Sequence, residues 1–165
     1  MSDVAAGEKP RKIIVAVDES EESMYALKWC LKNVIVKNPN SQDALVLLHA
    51  KRPTLVYPGF DDSAYVFSND ALASLERRDR EVAQMVIQKA EKLCKEYDVK
   101  VEGRVENGDP RDVICETVKA SGADLLVMGS HGYGLITRAI LGSVSNHCVQ
   151  SASCPVLVVK MPKSI

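Results

Sequence analysis

Glycine and serine residues that could expose main-chain amide groups are concentrated between Gly129 and Ser145. The spacing is glycine at 129, 132 and 142, followed directly by Ser143. A helix that begins at Gly142 or Ser143 would leave the amides of its first turn without helical partners. Such amides, together with that of Gly132, form a positive site suited to phosphate, and the hydroxyls of Ser143 and Ser145 could donate further hydrogen bonds.

A carboxylate stands at the end of another predicted element. The run from Lys12 to Asp18, KIIVAVD, is typical of a strand buried on both faces, as in a parallel sheet. Asp18 at its end is placed to accept hydrogen bonds from ribose hydroxyls. Met128 and Ala50, which end two other apolar runs, could offer apolar surface and backbone groups to a base.

Apolar periodicity predicts five strands that alternate with four helices. The strands are expected at 12–18, 43–50, 100–106, 123–129 and 155–160, and the helices after the cap Ser20, at 71–97, from the cap Asp109 to Gly122, and at 143–151. The third strand is the least apolar and is expected at an edge. The prediction is an α/β fold: a single doubly wound domain with a five-stranded parallel sheet, order 3-2-1-4-5, and helices on both faces.

That topology places the two groups of candidate residues together. The strand order reverses between the first and fourth strands, and open α/β sheets bind ligands at this point, beyond the carboxyl ends of the strands. The first strand ends at Asp18 and the fourth at Gly129. The alternative is that the glycines serve a tight turn after a strand and nothing more.

Length and composition indicate one globular domain. The 165 residues carry a formal net charge of −1, which gives no support to binding of nucleic acid or of a membrane surface. We expect a flexible tail at 1–10, the domain at 11–161, and a C-terminal tail at 162–165. No apolar run reaches the ~20 residues needed to cross a bilayer.

The number and spacing of the cysteines indicate a reducing cellular compartment. Five scattered cysteines without a C-x-x-C pair are typical of reduced thiols, and the first residues lack the apolar segment of a secretory signal. The expected location is the cytoplasm, with the nucleus not excluded.

Several motifs resemble a known family. The stretches IIVAVDES, LLHA, NGDPRDVICE, ADLLVMGSHGYG, LGSVS and CPVLVV look like those of the universal stress proteins, and in particular of small single-domain plant members. The match spans about residues 11–161. The glycine spacing followed by serine is the feature of the ATP-binding branch of that family.

The resemblance implies an adenine-nucleotide site for ATP or AMP and leaves open whether Mg²⁺ accompanies ATP. It places Ala16, Val17 and Ala50 near adenine, Asp18 at the ribose, and Met128 and Gly129 beside base and ribose, while Gly132, Gly142, Ser143, Val144 and Ser145 hold the phosphates. His131, inside the glycine loop, is a further candidate for a phosphate contact or else an exposed loop residue. His49, by contrast, is expected to be a core histidine.

The resemblance also implies a homodimer through the last strand, whose apolar residues are Val156, Leu157, Val158 and Val159. A covering tail or loop is the alternative way to protect that edge. The function expected is a stress-response module that binds nucleotide and acts as a regulator, with unknown protein partners. Slow ATP hydrolysis and nucleotide-modulated chaperone activity are the alternatives; the long loop at 51–69 could present apolar surface to client proteins.

Overall fold

Within the described residues, 10–36, 42–53, 69–131 and 141–162, the computed structural model contains a five-stranded sheet. Its strands are β1 (Lys12–Ala16), β2 (Ala44–Lys51), β3 (Val101–Asn107), β4 (Leu125–Gly129) and β5 (Val156–Val159). Neighbouring strands are parallel, and their order is β3-β2-β1-β4-β5. The predicted topology is confirmed, with β3 at one edge and the order reversing between β1 and β4.

Helices cover both faces of the sheet. They are α1 (Glu21–Cys30), which continues into a π-helical segment (Leu31–Ile35), α2 (Asn69–Glu96), α3 (Pro110–Ser121) and α4 (Ser143–Ser151). Because side chains alternate along a strand, Ile13 and Val15 pack with α1 and α2, in what we call the α1/α2 layer. Ile14 packs with α3 and α4 on the opposite face, in the α3/α4 layer.

The central strand β1 is buried as its β-branched sequence predicts. Ile13, Ile14 and Val15 are all fully buried, between one helical layer and the other. Each such side chain contributes roughly 1.5–3 kcal/mol through removal of apolar surface from water. The carboxyl ends of β1 and β4 are therefore fixed on a rigid support.

Helix ends follow the predicted capping residues. The Ser20 hydroxyl accepts from the Ser23 amide at 3.2 Å at the start of α1. The Asp109 carboxylate accepts from the Arg111 amide at 2.9 Å before Pro110, the first residue of α3. Hydrogen bonds from the side chain and the amide of Arg111 lower the pKa of Asp109 to about 2. Helix α3 ends at Gly122 in the left-handed conformation, at φ 64°.

Most predicted boundaries differ from the structure by one or two residues, and two of these differences lie beside the predicted site. Strand β1 ends at Ala16 rather than Asp18, because the Asp18 carboxylate accepts the Ser20 amide at 2.8 Å and turns the chain into α1. The loop expected at 51–69 is shorter, since Lys51 belongs to β2 and Asn69 begins α2. Residues 54–68 of that loop, and the tail residues 1–9 and 163–165, lie outside the described part of the chain.

No helix in the described ranges combines the length and the apolar character that crossing a membrane requires.

Replacement of Gly122 tests the C-terminal stop of α3. A Cβ at this position would have nothing within 4 Å, so the cost of Gly122→Ala comes from the positive φ rather than from a clash. We expect Gly122→Ala to lower the free energy of unfolding by about 1 kcal/mol in urea titrations. Gly122→Asn should lower the free energy of unfolding by less than Gly122→Ala does, because asparagine tolerates the left-handed conformation. Equal losses for both variants would contradict the explanation.

Candidate functional site

A cleft of about 850 Å³ lies at the carboxyl ends of the central strands. Every predicted site residue in the described part of the chain lines it, whereas Gly132 lies outside that part. These lining residues are Ala16, Val17, Asp18, Ala50, Met128, Gly129, His131, Gly142, Ser143, Val144 and Ser145. The topology therefore brings together residues more than a hundred positions apart in the sequence.

The first turn of α4 faces this cleft. Gly142 is the N-cap in extended conformation, and the first helical hydrogen bond runs from the Asn146 amide to the Gly142 carbonyl at 2.9 Å. The predicted start of this helix is thus confirmed. Among the described residues, none accepts a hydrogen bond from the amides of Ser143, Val144 or Ser145, which we call the first-turn amides. They carry the positive end of the helix dipole.

The carbonyl of Ser130, directly after β4, holds this turn in place. It accepts the Gly142 amide at 2.6 Å and the Ser145 hydroxyl at 2.7 Å. The Ser145 side chain is buried, and its hydroxyl also lies 3.2 Å from the Gly142 carbonyl. The expectation that this hydroxyl donates to a ligand is wrong, because its one hydrogen is used inside the loop. Ser143, in contrast, is exposed.

Gly129 and Gly142 are glycines because protein backbone passes close to them. A Cβ on Gly129 would lie 3.1 Å from the main-chain carbon and oxygen of Glu22 in α1. One on Gly142 would lie 3.1 Å from the Ser130 carbonyl oxygen and 3.3 Å from the His131 Cα. At these two positions the missing side chain allows close packing of the chain on itself. The contact at Gly142 places the start of α4 directly against Ser130 and His131.

Asp18 enters the cleft from the β1 side. One carboxylate oxygen, Oδ1, accepts the Ser20 amide at 2.8 Å and also the Ser20 hydroxyl. The Asp18 amide donates to the Ser23 hydroxyl oxygen at 3.0 Å. Asp18 therefore orders the N-terminus of α1 as well as lining the cleft.

Sequence reasoning missed the contact that Glu22 makes with the glycine loop. Its Oε2 accepts the His131 amide at 2.9 Å and the Ser130 hydroxyl at 3.1 Å, and it lies 3.5 Å from Nδ1 of His131. No role at the site was predicted for Glu22. Its reach across 109 positions of sequence has no local signature.

Basic residues at the rim were also missed. Lys51 is the last residue of β2, and Arg52 follows it. Arg78 lies on α2, where a run of charges is typical of a solvated helix face. All three line the cleft and add positive charge to it. The charged face of α2 alone does not reveal which of its residues point toward the sheet edge.

His49 is a buried histidine with a structural partner. Its Nδ1 lies 2.9 Å from the Val17 carbonyl oxygen, so Nδ1 carries the hydrogen and donates. The predicted core role is confirmed. The contact ties the end of β2 to the segment that follows β1.

Comparison with known proteins is consistent with this geometry. A model described as the universal stress protein family matches residues 9–160. The chain belongs to the universal stress protein family. The resemblance that the motifs indicated is thereby confirmed.

Three proteins that are similar to this universal stress protein match it over most of their own length. The universal stress protein A-like protein of Arabidopsis thaliana is 32% identical over 168 residues, covering 93% of this chain and 92% of the relative. The solved structure of protein MJ0577, from Methanocaldococcus jannaschii, has 27% identity and a TM-score of 0.68, covering 93% of this chain and 98% of that one. An AMP-bound universal stress protein family protein from Arabidopsis thaliana has 26% identity and a TM-score of 0.66, covering 93% of each chain.

A pair of serine variants tests how the loop of this universal stress protein is held. Ser145→Ala removes the buried hydroxyl that donates to the Ser130 carbonyl, so we expect the free energy of unfolding to fall by about 1 kcal/mol. Ser143→Ala, at the exposed first position of α4, should stay within about 0.5 kcal/mol of the parent. The measurement is chemical denaturation followed by circular dichroism. Equal stability of the two variants would count against the role given to Ser145.

Proposed function

We propose that this universal stress protein binds an adenine nucleotide, ATP or AMP, in the cleft and acts as a regulatory module in the stress response. The observation that carries the proposal is the set of first-turn amides, which belong to residues that line the cleft and have no partner among the described residues. Phosphate is the ligand group that such a helix N-terminus favours. The AMP-bound relative from Arabidopsis thaliana supports an adenine nucleotide in particular.

The phosphates would be held chiefly by main chain. The amides of Ser143, Val144 and Ser145 can each donate to a phosphate oxygen, and the exposed Ser143 hydroxyl can add another bond. Hydrogen bonds to a charged group contribute roughly 1.5–3 kcal/mol each. Gly132 and His131 keep their proposed places beside the phosphates, although the amide of His131 already donates to Glu22.

The nucleoside would lie toward β1 and β2. Val17 is buried, its amide donates to the Leu48 carbonyl at 2.9 Å, and its carbonyl accepts from His49. Met128 is buried in the α3/α4 layer. These two residues therefore support the pocket with their backbones, while the half-buried Ala16 and Ala50 offer apolar surface to adenine. Asp18 is proposed to accept from the ribose hydroxyls.

Binding rather than rapid catalysis fits the carboxylates at the site. Fast phosphoryl transfer needs a base poised on the attacking water or ligands that hold a metal on the phosphates. Asp18 bonds Ser20, and Glu22 bonds Ser130 and His131, so these two carboxylates act as structural acceptors. Glu19 and Asp79 also line the cleft, on the α1 and α2 sides. Any Mg²⁺ would arrive with ATP and share its phosphates, and hydrolysis would then be slow.

The proposed assembly is a homodimer in the cytoplasm. Strand β5 forms an edge of the sheet, with Val156, Leu157 and Val158 half-buried and Val159 buried. Antiparallel pairing of two β5 strands would cover this apolar edge, which is otherwise prone to aggregation. Five thiol-bearing cysteines fit a reducing compartment.

Ser143→Pro tests the amide site without removing the helix. Proline fits the first helical position, and Gly142 before it already has φ −67° and ψ 166°, a conformation that proline accepts in its neighbour. The variant lacks one first-turn amide, so we expect ATP and AMP affinity to fall about tenfold or more in isothermal titration calorimetry. Ser143→Ala, which keeps the amide, is the matched control.

Adenosine provides a second control for the same variant. Because adenosine has no phosphate, its affinity should be the same for Ser143→Pro and Ser143→Ala. If ATP binds Ser143→Pro as tightly as the parent while thermal unfolding is unchanged, the phosphate site lies elsewhere.

Glu22→Gln tests the negative charge beside the phosphate site. Glutamine keeps an acceptor for the His131 amide but removes a charge that opposes phosphate, so we expect ATP affinity to rise about threefold at low ionic strength. Glu21→Gln removes a charge from the same first turn of α1 at an exposed position and is the control. An equal rise in both variants would assign the effect to net charge instead of to the contact with His131.

A further inference from the structure

Two cysteines from different helices touch in the α3/α4 layer. The Sγ of Cys115 in α3 lies 4.0 Å from the Sγ of Cys148 in α4. Cys148 is fully buried, and Cys115 is half-buried. The two sulfurs are in van der Waals contact, across 33 positions of sequence.

We propose that Cys115 and Cys148 are a thiol pair that peroxide converts into a reversible disulfide joining α3 to α4. A disulfide needs its sulfurs about 2.05 Å apart, so the pair must close by about 2 Å. Rotation of the Cys115 side chain together with a small shift of one helix supplies a movement of that size. The proposal does not depend on nucleotide binding.

The exposure of the two thiols sets the order of the chemistry. The Cys115 thiolate attacks one oxygen of hydrogen peroxide, forms a sulfenic acid, and releases the other oxygen as water after protonation. The Cys148 sulfur then attacks the Cys115 sulfur, and its own proton leaves with the displaced hydroxyl as a second water. Two thiols are oxidised and one peroxide is reduced to two waters.

Burial explains why Cys148 takes the second role. Removal from water raises the pKa of its thiol to about 12, so it is a poor first nucleophile. Once Cys115 is a sulfenic acid, Cys148 need not ionise in advance, because its proton can pass directly to the hydroxyl group that leaves Cys115. A reducing thiol that reaches the half-buried Cys115 sulfur reverses the bond.

The three remaining cysteines differ from the pair in burial and in the layer where they lie. Cys30 and Cys94 are fully buried in the α1/α2 layer, and burial raises the pKa of Cys30 to about 11 and that of Cys94 to about 12. Cys154 is half-buried in the same layer as the pair, and its Sγ donates to the Pro155 carbonyl at 3.4 Å. Cys154 is thus the one competitor for Cys115 that an experiment must separate.

The experiment is peptide mapping after a peroxide pulse. The full chain is treated with hydrogen peroxide, remaining thiols are alkylated, and a tryptic digest is analysed without reduction. Cys115 falls in the peptide 112–119, but Cys148 and Cys154 share the peptide 139–160, since no lysine or arginine separates them. The cross-link between these two peptides is therefore compared in Cys148→Ser and Cys154→Ser.

We expect the cross-link in the parent and in Cys154→Ser, its loss in Cys148→Ser, and its disappearance after dithiothreitol. Should Cys148→Ser fail to fold, Cys115→Ser at the more exposed position gives the same loss, and fragmentation of the parent cross-link identifies the second sulfur. The proposal is overturned if the bond joins Cys115 to Cys154, if Cys115 proceeds to sulfinic acid without cross-linking, or if peroxide leaves both thiols free for alkylation.

Discussion

The carbonyl oxygen of Ser130 is the group on which the geometry of the cleft depends. It receives both the Gly142 amide and the Ser145 hydroxyl, at 2.6 Å and 2.7 Å. These bonds fix the cap and the third residue of α4 directly against the end of β4. The first-turn amides are therefore oriented by the rigid centre of the sheet before any ligand arrives, so little reorganisation is needed on binding.

Magnitudes decide which groups dominate the electrostatics of the cleft. Lys51, Arg52 and Arg78 stand at a solvated rim, where each charge contributes at most about 1 kcal/mol. Main-chain amides that bond a charged phosphate contribute roughly 1.5–3 kcal/mol each. The Glu22 carboxylate, whose charge opposes a bound anion, accepts hydrogen bonds from the Ser130 hydroxyl and the His131 amide. Asp18, Glu19 and Asp79 also line the cleft, so the side-chain charges largely offset one another and the α4 terminus is the main anion-binding group.

The features that could be predicted from the sequence are those that local residue patterns determine, such as strands and the first residues of helices. The alternation of apolar strands with helices and the low apolar content of the third strand predicted the sheet order. The caps Ser20 and Asp109 and the glycine at 142 predicted where helices begin. The burial of Met128 could also have been predicted, because the twofold alternation of β4 places it on the same face as Leu126. The contacts of Ser145 and Glu22 could not, since they join loops through single hydrogen bonds that leave no periodic pattern.

Helix α4 connects the cleft to the cysteine pair. Nine residues are too few for a stable isolated helix, so packing at its two fixed points, Ser130 and the α3/α4 layer, sets its position. Cys148 lies five residues after Ser143, about 7.5 Å along the axis, with no flexible element between them.

When the sulfurs approach each other, one of the two helices must give way. Helix α3 buries four residues and is held at its ends by Asp109 and Gly122, whereas α4 buries two. We therefore expect α4 to shift as a rigid body. A movement at Cys148 would then be passed along α4 toward the first-turn amides, and it would act against the hydrogen bonds that the Ser130 carbonyl accepts from Gly142 and Ser145.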